Sequence, residues 1–289
     1  MDQCSKKDYD MIIYHRDCSD GFASAWIAWS FLNNKNIIYH ASQPNDKYVP
    51  NIVDKKILMV DITFLDKKLM DNIRNQSKSL CIIDHHPQAK FTLRDGDSYI
   101  LDENHSAAYL AWKHFYPDKP IPIFIKLIED EDIKGRKYKY TMYFASALPL
   151  DYKKDPSEFK TWNNLLKKEN VAKVIKLGKS VSKYKEDLIR RNLFGALMKF
   201  ENYTVIVHNF VAVGLWNDIA NMLAKKHIET ADFALVWAYE HFKKRYNVRL
   251  RSLKDTVDLN KLAYKYGGGG HKRAAVFYTK DIFALLKEI

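Results

Sequence analysis

Three short apolar runs early in the chain each stop at a metal-ligating side chain. The run 80–83 (LCII) leads straight into Asp84, His85 and His86, and Pro87 behind them disfavours a helix. The run 11–14 (MIIY) stops at His15, with Asp17, Cys18, Asp20 and Gly21 following. The run 57–60 (ILMV) stops at Asp61. Apolar runs of this length bounded by polar residues suit buried strands. In an open α/β sheet, ligands gather outside the carboxyl ends of the strands, so strands that each end in an acid or a histidine aim at one crevice. Carboxylate and imidazole together suit a hard to borderline divalent ion such as Mn²⁺, with no thiolate required.

The segments between these runs complete the pattern. Residues 21–31 (GFASAWIAWSF) are predicted to be helical, with Gly21 at the turn and the helix amino end facing the crevice, where its N–H groups favour an anion. Trp26 and Trp29 are expected to pack. Residues 36–40 suit a second strand, 65–74 a helix, and 98–112 a short strand, a turn and an alanine-rich helix capped by Ser106. Strand and helix in alternation describe a parallel sheet with crossover helices. The apolar run 121–133, helix or strand, closes on Glu129, Asp130, Glu131 and Asp132, which makes one of these acids a candidate for a further metal ligand.

Residues 156–200 lack strand alternation and are expected to be helices that complete a first domain and bridge to a second. Strands are then predicted at 203–208, 211–215, 233–239 and 246–251, with a helix at 217–226. The alternation in RLRS puts Arg249 and Arg251 on one face. A short helix at 258–266 precedes Gly267, Gly268, Gly269 and Gly270. Consecutive glycines are entropically costly and suit a backbone that approaches a ligand closely, here a phosphate, with His271, Lys272 and Arg273 just beyond.

The 289 residues suit two domains. Lys and Arg outnumber Asp and Glu by 12 and the isoelectric point is about 9.3, which favours a polyanionic partner. Many lysines between 167 and 185 would simply solvate helix faces. No apolar run approaches the ~20 residues of a membrane span, and the opening residues lack a secretory apolar core. A cytoplasmic protein is expected. The three cysteines, Cys4, Cys18 and Cys81, give neither a disulfide framework nor a CxxC pair, so free thiols in a reducing compartment are expected, with Cys81 a small buried hydrophobe.

The pieces YHRDCSDGFASAW, LMVDITF, CIIDHHPQA, ENHSAAYLAW, IEDEDI, RLRS and YGGGGHKRAAVF, in that order, resemble a DHH-family phosphoesterase with a C-terminal DHHA1 domain, of nanoRNase or oligoribonuclease-like type. The resemblance implies an α/β fold. A parallel-sheet DHH domain with helices on both faces would span residues 1–190, and a smaller α/β DHHA1 domain residues 191–289, with the active site in the cleft between them. It further implies two Mn²⁺ ions, with Mg²⁺ or Co²⁺ as alternatives, held by His15, Asp20, Asp61, His85 and Asp130, and bridged by Asp61. Asp84 would orient the ligating histidine or ligate weakly, and His86 would reach the substrate phosphate or the attacking oxygen. Arg251 and His271, with the N–H groups of Gly268, Gly269 and Gly270, would hold the far phosphate.

One motif departs from the family. Where the familiar version has an aspartate two residues before Asp20, this chain has Cys18, with Asp17 next to it. Either Asp17 enters the first metal site through an altered loop, or Cys18 ligates, or that site has fewer protein ligands; Asp17 is favoured, because a thiolate would bias the site toward zinc or other thiolate-tolerant metals. Asp130 is preferred to Asp132 because it matches better. The activity implied is hydrolysis of phosphodiester bonds in short 5′-phosphorylated oligonucleotides or dinucleotides to mononucleotides, by two metal ions that activate water for in-line attack. Alternatives are an exopolyphosphatase, a phosphomonoesterase acting on a nucleotide such as 3′-phosphoadenosine 5′-phosphate, and a nucleotide-binding module with impaired catalysis. The partner expected is the short oligonucleotide itself, with no membrane, and a homodimer is allowed.

Overall fold

The computed structural model describes residues 4–289 apart from Lys7, Asp95, Arg136 and Ala212, with Val213 described by its backbone alone. The chain divides into two compact units, Met1–Ser182 and Lys183–Ile289. In the first, β1 (Met11–His15), β2 (Ile38–Ser42), β3 (Lys56–Val60), β4 (Ser79–Asp84) and β5 (Ser98–Leu101) form an all-parallel sheet in the order β2-β1-β3-β4-β5. The helices are α1 (Ser19–Leu32), α2 (Lys67–Gln76), α3 (Ala107–Phe115), α4 (Ile123–Asp132), α5 (Thr141–Asp151), the single turn α6 (Phe159–Trp162) and α7 (Lys168–Arg191), which runs on into the second unit.

Both faces of this sheet are covered, which is why its strands are continuously apolar. Ile12, Tyr14, Leu58, Val60 and Ile83 face a core built with α1, α3, α4 and α5. Their neighbours Met11, Ile13, Ile57, Met59 and Ile82 face Leu69, Met70 and Ile73 of α2. Phe22 of α1 stacks on Phe159 at 4.9 Å and lies 4.8 Å from Trp162, so the small helix α6 plugs the first core. Asp66 starts α2 by accepting from the Lys68 amide at 2.9 Å. Gly178 lets α7 cross α5 closely, since a Cβ there would lie 1.8 Å from the Tyr143 carbonyl oxygen.

The second unit holds a seven-stranded sheet in the order β10-β11-β9-β8-β7-β6-β12: β6 (Ala196–Phe200), β7 (Tyr203–Asn209), β8 (Phe233–Glu240), β9 (Arg245–Arg251), β10 (Gly269–His271), β11 (Ala274–Thr279) and β12 (Leu286–Glu288). Only β7 and β8 pair in parallel. Helix α8 (Trp216–Lys226) buries Ile219 and Leu223 against Ile206, Ala234 and Val236 on one face. Helix α9 (Leu259–Tyr264) buries Leu259 and Leu262 with Val205, Leu235, Leu250 and Phe277 on the other.

Several expectations are corrected. Residues 196–200 form β6 rather than helix: Ala, Leu, Met and Lys are helix formers, but ladders with β7 and β12 override them. The strand expected at 211–215 is instead a 3₁₀ turn at Val213–Leu215 leading into α8, and Ala212 lies outside the described residues. The run 121–133 is helical, as α4. Cys4 and Cys81 are not free thiols but pair as a disulfide, their Cα atoms 5.5 Å apart, which leaves Cys18 as the free cysteine. Among the described residues no helix is long and apolar enough to cross a membrane.

Candidate active site

The strand order of the first unit reverses at β1, which lies between β2 and β3, and a crevice opens at such a switch point beyond the strand ends. His15 ends β1, Asp61 follows β3, and Asp84 ends β4, so the three runs deliver their polar residues to one place. His15 Nδ1 lies 3.4 Å from Asp61 Oδ2, and His85 Nε2 lies 3.3 Å from Asp61 Oδ1. His85 Nε2 is also 3.2 Å from Asp132 Oδ2 and 4.0 Å from Asp20 Oδ2. Gly21 is required beside them, because a Cβ there would lie 2.8 Å from His15 Cβ and 3.0 Å from Asp61 Oδ2.

Asp61 is held under strain. Its φ of 60° is left-handed, which a non-glycine residue adopts only when the surroundings compel it, and its amide is tied to the Ile83 carbonyl at 2.9 Å. The side chain is 1% exposed, yet neither carboxylate oxygen has a hydrogen-bond partner. Burial would push this carboxyl up, but the imidazoles of His15 and His85, with His86 adding to them, outweigh it and hold it at about 2. Burial also acts on Asp20, pushing its carboxyl well up, with Asp61 and Asp132 adding to the effect. Burial would lower His85, but Asp61, Asp20 and Asp132 lift it to about 9. The same negative field that favours a proton on His85 Nε2 also favours a cation there.

Supporting groups set the ring orientations. Gln43 faces His15 with its carbonyl oxygen, 3.2 Å from Nε2, while its own nitrogen donates to the Arg16 carbonyl at 3.1 Å. When the imidazole is neutral, as a metal ligand must be, His15 therefore keeps its proton on Nε2 and leaves Nδ1, on the Asp61 side, as the ligating atom. Asp84 Oδ1 accepts from the His85 and His86 amides at 2.7 and 3.1 Å and from His86 Nδ1 at 2.8 Å. That leaves Nε2 as the free ring nitrogen of His86, whose side chain is 38% exposed. Asp20 accepts from the Ala107 and Ala108 amides at 2.7 and 3.1 Å, which locks α1 to the start of α3.

These residues fit divalent cations. Three groups of ligand atoms lie within 4.8 Å of one another: Asp61, Asp84, His85 and His86; His15, Cys18 and Asp61; and Asp20, His85 and Asp132. His15 Nδ1, His85 Nε2, Asp84 Oδ2 and both oxygens of Asp61 are buried without hydrogen-bond partners. Unpaired buried carboxylates are costly unless a cation balances them.

Two expected ligands are elsewhere. Asp130 accepts from the Lys137 and Tyr138 amides at 2.6 and 3.1 Å and from Thr141 Oγ1 at 2.5 Å, so it braces the α4–α5 connection. Two residues along a helix turn by about 200°, so α4 can aim only one of the two acids at the crevice, and that one is Asp132. Asp17 is exposed, with a left-handed φ of 61° and a carbonyl that accepts from Lys154 Nζ at 2.5 Å. It is Cys18 that reaches His15 and Asp61. Burial, with Asp61 and Asp20 adding to it, pushes the Cys18 thiol up.

The second unit has its own polar groove. A cavity of about 210 Å³ is lined by Asn217, Arg249, Arg251, Gly269, Gly270 and His271, with apolar neighbours. Asn217 Oδ1 accepts from Arg251 at 3.0 Å and from Arg249 at 3.4 Å, and the Arg249 guanidinium lies 4.6 Å over the Trp216 ring. Among the described residues neither arginine has a carboxylate partner, and both Nε atoms are buried without one. The glycine run is not the open phosphate loop expected. Gly267, Gly268 and Gly270 donate their N–H groups to Tyr264, Ala263 and Asn260 Oδ1, and β10 pairs with β11 as a hairpin. What Gly268 and Gly270 provide is close packing, since a Cβ on them would come within 2.1 and 2.4 Å of the Val276 and Ala274 carbonyl oxygens.

Residues 11–135 match the model of the DHH family, N-terminal domain. The match assigns this segment, and not the whole chain, to the N-terminal domain of that family. Uncharacterized protein R106 of Acanthamoeba polyphaga mimivirus is 28% identical over 295 residues, covering 94% of this chain and 68% of its own. Two solved structures share the fold. A pGpG-specific phosphodiesterase, PggH, from Vibrio cholerae has a TM-score of 0.54 at 15% identity, over 93% of this chain and 92% of that one. The DHH domain of a protein described as a member of a family of ribosomal proteins has a TM-score of 0.57 at 12% identity, over 94% and 83%.

Within the DHH domain, sequence reasoning overlooked Gln43. Its signal was its place just beyond β2, at the same sheet edge as His15. In the second unit it overlooked Asn217, for which the sequence carries no signal, because only the packing of α8 on β9 brings it to the arginines.

Proposed function

We propose that this chain is a metal-dependent phosphodiesterase that cleaves short 5′-phosphorylated oligonucleotides or dinucleotides to mononucleotides, with the second unit acting as a DHHA1-type substrate-binding domain. The observation that carries the reading is the buried Asp61 carboxylate, which has no hydrogen bond at either oxygen and stands between His15 and His85. Asp20, Asp61, His85 and Asp132, all oxygen and nitrogen donors, would hold Mn²⁺, and His15 and Asp61 would share in a second ion. Such ions supply acidified water and withdraw charge from a phosphoryl oxygen.

The remaining roles belong to the chain itself. Asp84 keeps a proton on His86 Nδ1 and raises that imidazole, so His86 Nε2–H can donate to a phosphoryl oxygen as negative charge grows on it. Arg249 and Arg251, without a carboxylate partner among the described residues, would grip the phosphate that is not cleaved. A groove of about 210 Å³ with two guanidiniums suits one terminal phosphate rather than a long strand. The net charge of +12 and the fold shared with a dinucleotide phosphodiesterase support an anionic nucleotide substrate.

The test is purified protein with Mn²⁺ against pApA, pGpG, a length series of 5′-phosphorylated oligonucleotides, cyclic dinucleotides, 3′-phosphoadenosine 5′-phosphate and polyphosphate, with products resolved by chromatography. Turnover should be highest on dinucleotides, decline with length, and be abolished in Asp61→Asn. Phosphate release from polyphosphate with dinucleotides left intact would overturn the substrate assignment.

A further inference from the structure

We infer that the two metal positions of this chain differ in kind, and that the position at His15, Cys18 and Asp61 binds a thiophilic divalent ion, Zn²⁺ by class, through the Cys18 sulfur. The inference rests on the metal centre proposed above and replaces one of its two ions. The ligand atoms of these three residues lie within 4.8 Å of one another. The Asp61 carboxylate aimed into the group is 1% exposed and without a hydrogen bond, and His15 Nδ1 beside it has none either. With the lone pair on Nδ1 fixed by Gln43, the set is one nitrogen, one sulfur and one oxygen. Three protein ligands with a position left open is the usual build of a reactive zinc site, and thiolate selects zinc over manganese.

The neighbouring group of Asp20, His85 and Asp132 offers no sulfur and so provides an internal contrast. Burial disfavours a free thiolate at Cys18, but a coordinated cation removes that penalty, since a thiol bound to such an ion is deprotonated outright. Asp17, the alternative oxygen ligand, is exposed and is not among the residues whose ligand atoms gather there. Because Cys4 and Cys81 are paired with each other, any metal–sulfur signal must come from Cys18.

The experiment is spectroscopic. Co²⁺ is titrated into the metal-free full chain, following both the visible ligand-field bands and the near-ultraviolet sulfur-to-cobalt charge-transfer band. Wild-type protein should show both. Cys18→Ser and Cys18→Asp should keep the ligand-field bands and lose the charge-transfer band. In competition dialysis against equal Zn²⁺ and Mn²⁺, Cys18→Asp should shift the bound metal toward Mn²⁺. Matching melting curves in the two variants would show that the losses are local. Ligand-field bands with no charge-transfer band in the wild type would overturn the inference while leaving the metal centre standing. No Co²⁺ bound at all would overturn both.

Discussion

Gln43 Oε1 stands 3.2 Å from His15 Nε2, and the amide is pinned by its own bond to the Arg16 carbonyl. This one contact decides which nitrogen of His15 is free to ligate. Gln43→Leu should lower metal affinity about 10–100-fold, the usual cost of losing such a support. Gln43→Glu, which still accepts from Nε2–H, should lose less. Calorimetric titration with Zn²⁺ and with Mn²⁺ checks this, and unchanged affinity for both in Gln43→Leu would mean that the tautomer is not set by Gln43.

Asp130 and Asp132 separate structure from chemistry on a single helix. Asp132→Asn should abolish metal-dependent turnover and leave the melting temperature nearly unchanged, because its partner in the crevice is His85. Asp130→Ala should strip acceptors from two amides and the Thr141 hydroxyl and cost about 1–3 kcal/mol of stability. Thermal melts beside a turnover assay distinguish the two. The opposite pattern would return Asp130 to the site.

Much of this centre was legible in the sequence, for a physical reason. Strands buried on both faces are continuously apolar, so each ends abruptly, and His15, Asp61 and Asp84 stand out at the breaks. Inside the acidic run of α4 the phase of the helix could not be read, since either acid satisfies the composition. The choice between Asp17 and Cys18 rests on how the loop after β1 folds, which puts Cys18 with His15 and Asp61 and leaves Asp17 exposed, and no pattern announces that. Strands β6 and β12 were hidden because their residues prefer helix or no structure until neighbours supply a ladder. The pairing of Cys4 with Cys81, separated by 77 residues, is purely tertiary.

Arg251 and Arg249 face a groove without a carboxylate, so their charge is available to a ligand. Arg251→Met should raise KM about 10–100-fold, since a charged hydrogen bond contributes about 1.5–3 kcal/mol. Metal binding should not change, and kcat should be largely kept. Steady-state kinetics on pApA with parallel Mn²⁺ titrations checks both, and an unchanged KM would remove Arg251 from substrate binding.

His208 in β7 gives the fold a pH dependence independent of the metal ligands. It is buried beside Phe194 and Phe210, at ring distances of 4.9 and 5.8 Å, and burial lowers its pKa. The folded chain therefore favours neutral imidazole, and unfolding in acid takes up a proton. The contribution to stability is complete above the unfolded value of about 6.5 and is lost as pH falls from there through the folded value. His208→Phe should lose less melting temperature than wild type between about pH 8 and pH 5.5, measured by calorimetry. Identical pH dependence would show that His208 is not the group responsible.

The central claim is that the buried Asp61 carboxylate joins two cation positions. Anomalous scattering from a crystal supplied with both Mn²⁺ and Zn²⁺, collected at the two absorption edges, tests it most directly. The result expected is a metal peak against each oxygen of Asp61, one shared with His15 and Cys18 and the other with His85 and Asp132. Peaks only at surface acids, with both Asp61 oxygens bare, would contradict it.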